Sequence, residues 1–311
     1  MNIFAAAVYS NSYMAGQNRY HKLIDRERFV VHTLPHILES FHYIDGDKTV
    51  QQMRRNGAKV FLDSGAFSAW TLGATIDINA YCTYIVRNRD ILRVEDGVVM
   101  ASVLDGIGDP LKTWQNQLEM ERQGAMPLPC FHYGEDERYL EWYLTRYSYI
   151  TLGGMVGKTG AQLTQWLDRL WDKYLTDGSG RARLKVHGFG ITAVPIMERY
   201  PWTSVDSSSW IQTAAFGNIM TERYGPLSVS SSSPSRHDEG RHITTFTELE
   251  QQAIRNYVTA QGFDLDRMGT VYEARAAYNL FSYGLLNDEM NRVAVHTFKS
   301  PQPGIFDSFL N

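Results

Sequence analysis

Asp63, Asp105 and Asp206 each follow a short apolar run, in the contexts VFLDSGAF, ASVLDGIGD and TSVDSSSW. Carboxylates in such a set suit chemistry at an anomeric carbon, which needs a nucleophile, a proton shuttle and a group that recognises the departing base. Taken singly, an aspartate after a strand is usually a helix cap or a turn former. Three of them behind apolar runs point instead to one shared mouth. Other runs end in polar or glycine-rich groups as well: Cys130-Phe131-His132-Tyr133-Gly134, Leu152-Gly153-Gly154-Met155-Val156-Gly157 and Val186-His187-Gly188-Phe189-Gly190. Glycines there either make turns or let a flat ligand lie against the backbone. Phe67, Met155 and His187 would then sandwich that ligand, although each taken alone reads as core. Cys130 and His132 give at most two metal ligands at usable spacing, so no metal site and no cofactor are expected.

Positioning these groups calls for buried parallel strands joined by crossover helices, because short apolar runs alternate with segments of helical period. The apolar runs predict strands over 3–8, 59–64, 98–105, 127–133, 149–155, 184–191 and 203–208, with 227–231 as the candidate for an eighth. Helices are predicted over 78–92, 110–123, 135–146, 159–175 and 193–200, one of them starting with Pro110 after Asp109. The fold class is therefore α/β, a (β/α)8 barrel over residues 1–245, whose strand ends carry the active site. Residues 246–311 hold two further helical patterns, 247–261 and 266–286, and a Pro-broken tail from Ser300. They are assigned to the last barrel helix and a small helical cap.

At 311 residues, 43% hydrophobic and 21% charged, the chain can bury a large core, which excludes a disordered chain. No stretch of eighteen apolar residues occurs, and the start MNIFAAAVYSNSYMAG lacks a basic region ahead of a long apolar one. Neither a membrane span nor a secretory signal is expected. Two cysteines, Cys82 and Cys130, build no disulfide framework, which fits a reducing cytoplasm. The formal charge of -4 argues weakly against a nucleic-acid partner. Arg181, Arg183 and Lys185, or Arg236, His237, Arg241 and His242, are the local groups that would form a basic rim.

The set DSGAF (63–67), LGGMVG (152–157), HGFG (187–190) and SVDSSSW (204–210) resembles the tRNA-guanine transglycosylase family in order and spacing, over about half of the chain. The resemblance implies a base exchange in which Asp206 is the nucleophile and Asp63 the general acid/base. It further implies that Phe67 stacks on the base and that Ser64, Asp105, His132 and Gly154 read its edges, with Gly153 and Gly188 as further substrate-binding positions. Met155 and His187 would close the pocket. His132 and His187 depart from the family pattern, which has a glutamine and a methionine there. The family's zinc site, three cysteines and a histidine after the nucleophile, has no counterpart here. A short, zinc-free version resembles most the phage and bacterial relatives that place 7-deazaguanines into DNA, which implies DNA and a 7-deazaguanine base as partners in a bacterial cytoplasm. A tRNA substrate is the alternative polymer, a homodimer is left open, and a silent nucleic-acid-binding paralogue is disfavoured by the presence of both Asp63 and Asp206.

Overall fold

The computed structural model describes residues 1–14, 19–44, 46–292 and 296–299. Seven parallel strands form one curled sheet: β1 (Asn2–Ala6), β2 (Ile37–Ser40), β3 (Val60–Asp63), β4 (Cys130–His132), β5 (Tyr149–Gly153), β6 (Lys185–Gly188) and β7 (Ser204–Ser207). Their order is β3-β2-β1-β7-β6-β5-β4, so the sheet's first and last strands in chain order pair side by side at its centre. Between the edges β3 and β4 no continuous ladder runs, and the sheet is a half-barrel. Residues 101–103 lie in the gap: the Ser102 amide donates to the Leu62 carbonyl (2.8 Å) and the Val103 amide to the Leu128 carbonyl (2.9 Å).

The period of two along each strand sorts side chains into an inner and an outer layer. Phe4, Leu38, Phe61 and Tyr149 meet inside the curl, together with Met100 and Leu128. Their chain neighbours face outward: Ala5, Ile37, Val60 and Leu62 pack in one outer core, and Ile150, Leu152, Val186 and Val205 in another. Crossover helices cover these outer faces. Asp77 caps Ile78–Arg87 through the amides of Asn79 and Ala80, and Asp109 caps Pro110–Arg122 through that of Lys112, as a short acceptor at the first turn should.

Several sequence-based expectations are corrected. Strand β2 was not among the predicted elements, since ILES is only four residues long, follows Pro35 closely and carries a glutamate. The expected strand 98–105 forms only in part: Val98–Val99 turn back on Val94–Glu95 as an antiparallel pair before the chain enters the gap. The candidate eighth strand, 227–231, lies elsewhere. Gly225–Ser228 pairs antiparallel with Asn218–Thr221 in a separate hairpin, a use of β-type composition that the residues alone do not distinguish from a barrel strand.

The C-terminal segment forms Glu248–Ala260, Leu265–Thr270 and Tyr272–Arg292, so the pattern 266–286 is two helices divided at Val271. The long helix Tyr272–Arg292 lies against the sheet. Asn279 donates to the Trp210 carbonyl (3.0 Å) and accepts from the Met220 amide (2.8 Å), while Asn287 accepts from the Ile3 amide (3.0 Å). These buried amides satisfy backbone groups that would otherwise lie unpaired away from water. The tail from Ser300 falls outside the described residues. No helix among the described residues is long and apolar enough to cross a membrane.

Candidate active site

Strand phase decides which carboxyls reach the inside of the curl. Asp63 ends β3 two residues after Phe61, and Asp206 stands two after Ser204, so both share the inner face at the C-terminal end of the sheet. Beneath them the inside is aromatic. His187, fully buried, lies 4.6 Å from the Phe61 ring, 4.7 Å from Phe189 and 6.0 Å from Phe4.

A line of polar contacts rises from this floor to Asp206. The Tyr149 hydroxyl meets Ser204 Oγ at 2.8 Å, and Ser204 Oγ meets His187 Nδ1 at 2.7 Å. His187 Nε2 stands 3.3 Å from Asp206 Oδ1, which also accepts the Gly190 amide at 2.9 Å. One carboxylate oxygen is thus fixed by two neighbours. The other, Oδ2, makes no hydrogen bond among the described residues.

Asp63 is held differently. Its Oδ2 accepts the Gly65 amide (2.9 Å) and its Oδ1 the Ser102 hydroxyl (3.2 Å). Burial pushes its carboxyl up to about 7, and the charges of Asp105 and Asp206 add to the effect. A carboxyl tuned to that range can give or take a proton near neutral pH, the property a general acid/base needs.

The third aspartate belongs to a second cluster. Asp105 Oδ2 lies 3.3 Å from His132 Nε2, and Cys130 Sγ lies 3.4 Å from the same nitrogen. On the far side of the ring, Glu135 takes both the His132 amide (3.0 Å) and Nδ1 (2.9 Å). Burial opposes charge on this imidazole, but Cys130 and Asp105 beside Nε2 outweigh it and raise its pKa. Burial likewise pushes the Cys130 thiol up to about 11. The sequence spacing counted two ligand-type residues here; folding supplies Asp105 as a third.

The remaining sequence-based site residues are dispersed. Ser64 is fully buried and turned out of the mouth; its Oγ accepts the Ala66 amide and its own amide donates to Ser102 Oγ. Phe67 is 52% exposed on helix Ala66–Thr71 beside Trp70, whereas Met155 is buried in the outer core with Leu152 and Trp166. The expected sandwich of Phe67, Met155 and His187 is therefore not assembled, because the three occupy the surface, the outer layer and the inner floor. A Cβ on Gly153 would come within 2.9 Å of the His132 ring, so that glycine makes room for the histidine. Gly154 has φ +69, and a Cβ on it would stand 3.0 Å from the Tyr133 amide nitrogen, while a Cβ on Gly188 would press on Ile191 and Trp202 in the outer layer.

Sequence reasoning missed Ser102 and Glu135. Both were within reach of it: Ser102 shares the inner phase of Met100, and Glu135 follows His132 by three residues. The basic groups also divide. Lys185 begins β6 at the end of the sheet away from the mouth and pairs with Asp96 at 2.6 Å. His242 is buried and bonds the Ser230 carbonyl, while Arg236 stays at the surface. No protein-family model matches the chain, and no curated protein does either.

Proposed function

We propose that the protein exchanges guanine for a 7-deazaguanine in a nucleic acid, with Asp206 as nucleophile and Asp63 as general acid/base. The observation that carries this reading is the pairing, inside one curl, of a carboxylate with one oxygen fixed and one unbonded and a carboxyl whose proton titrates near 7. Asp206 Oδ2 attacks the anomeric carbon as the carbon–nitrogen bond to guanine breaks. The electron pair leaves with the base, and the Asp63 proton goes to it. The incoming 7-deazaguanine gives its ring N–H proton to Asp63 as its nitrogen attacks the same carbon and releases Asp206. Two inversions restore the original configuration.

On this reading the fold is a full eight-stave barrel, with residues 100–103 as the fourth stave between β3 and β4. Support comes from the amide contacts of Ser102 and Val103 to both edges and from the chain order of the staves around the curl. DNA is the proposed polymer, by the resemblance of the zinc-free motif set to the DNA-modifying relatives. The target nucleotide must leave its stack to enter, since the inner face of a curled sheet cannot be reached by a base within a duplex.

Labelled guanine in DNA and in tRNA, incubated with the protein and an unlabelled 7-deazaguanine, tests the reading. Release of label coupled one for one to incorporation of the deazapurine into DNA is the expected result. Release without incorporation would make the protein a hydrolase, and incorporation into tRNA alone would change the polymer.

A further inference from the structure

We infer that Asp105, Cys130 and His132 form a zinc-type divalent metal site, with Glu135 as the group that orients the histidine. One ligand atom from each residue, a carboxylate oxygen, a thiol sulfur and an imidazole nitrogen, lies within 4.8 Å of the other two. Zinc bonds of about 2.0–2.1 Å to nitrogen and oxygen and about 2.3 Å to sulfur, at tetrahedral angles, set ligand atoms roughly 3.3–3.6 Å apart. The spacings of 3.3 Å from Asp105 Oδ2 to His132 Nε2 and 3.4 Å from Cys130 Sγ to the same nitrogen fall on that scale. The spacing to Asp105 is long for a charge-assisted hydrogen bond, which closes to about 2.7–2.9 Å. One N–H, moreover, cannot point along both.

The surroundings agree. Glu135 accepts from Nδ1 at 2.9 Å, the carboxylate–histidine arrangement that fixes a metal-binding imidazole in the tautomer with its Nε2 lone pair free. In that tautomer the lone pair faces a carboxylate and a sulfur, three acceptors around one point, an arrangement that a metal cation among them would satisfy. Asp105 Oδ1 is buried with no partner, so the carboxylate is not satisfied by protein donors alone. Gly153 leaves the room that the His132 ring occupies, since a Cβ there would stand 3.0 Å from the sulfur and 2.9 Å from the ring. Three protein ligands leave a fourth position, which water, or a ring nitrogen or carbonyl oxygen of a bound base, would take. The inference does not depend on base exchange, because metal binding is read without any nucleic acid.

The test is Co2+ titration of the full chain after chelator treatment. The expected result is one Co2+ per chain with a thiolate-to-cobalt charge-transfer band in the near ultraviolet, displaced by Zn2+. Cys130→Ser should abolish the band while Cys82→Ser, at the other buried cysteine, keeps it. Glu135→Gln should weaken Zn2+ binding by roughly 10–100-fold. Asp105→Asn, which retains the sulfur, should weaken it too, measured by competition with a chromophoric chelator, so that the conclusion survives even if Cys130→Ser fails to fold. No band, a band that persists in Cys130→Ser, or Zn2+ affinity unchanged in Asp105→Asn would overturn the inference and leave an imidazolium between two carboxylates.

Discussion

Glu39 and Asp63 occupy the ends of adjacent strands, and burial pushes both carboxyls up to about 7. Only one of them faces the inside of the curl. Leu38 belongs to the inner layer, so Glu39, one residue later, points outward, where it is fully buried and accepts the amides of Tyr9 (2.5 Å) and Ser10 (3.3 Å). Asp63 has the phase of Phe61 and opens on the mouth beside Asp206. A shift of one residue along a strand changes the face, and with it the meaning of the same raised pKa. At Glu39 the carboxyl ties a loop to the sheet; at Asp63 it lies partly exposed on the inner face beside Asp206. A perturbed titration therefore identifies a candidate for chemistry only together with access and a reacting partner.

Substitutions at the two positions should separate these roles. Asp63→Asn should lower base exchange by roughly 10²–10⁴-fold, the usual contribution of a positioned acid/base, whereas Glu39→Gln should leave the exchange rate unchanged; equal losses would erase the contrast. Glu39→Ala should cost about 1–3 kcal/mol in denaturant melts, because two buried amides lose their acceptor. Both carboxyls bind protons more tightly in the fold than their ordinary values of 3.8 and 4.5 allow in the unfolded chain. Their contribution to stability is thus fully present below about pH 4 and is lost as pH rises through about 7. Melting temperatures of Asp63→Asn should fall less steeply across that window than those of the unsubstituted protein. The smallest effect is expected from Ser102→Ala: without the hydroxyl that favours the charged form, the Asp63 titration should move further up in the pH profile of exchange.

The sequence was most legible where a run and its terminal residue stand together. Asp63 and Asp206 are read directly from apolar strands that end in polar groups, and the structure places both on one inner face. Ile37–Ser40 was illegible because four residues with a glutamate carry no clear period, and 227–231 misled because a hairpin strand and a barrel strand share one composition. Asp105, Cys130 and His132 were visible separately, but their joining depends on how residues 101–103 sit against Leu128, which no local pattern records. The proposed stacking of Phe67, Met155 and His187 failed for a related reason: proximity to a strand end does not state which layer a side chain enters, and Met155 follows the outer one.

The most direct test of the central claim is covalent trapping on Asp206. The protein is mixed with guanine-containing single-stranded DNA, double-stranded DNA or tRNA, denatured, and the chain is mapped by mass spectrometry. The account predicts a denaturation-resistant glycosyl adduct on Asp206, formed with DNA, absent in Asp206→Asn and resolved by a 7-deazaguanine into modified DNA. An adduct on another residue, or none with either polymer while guanine is still released, would contradict it.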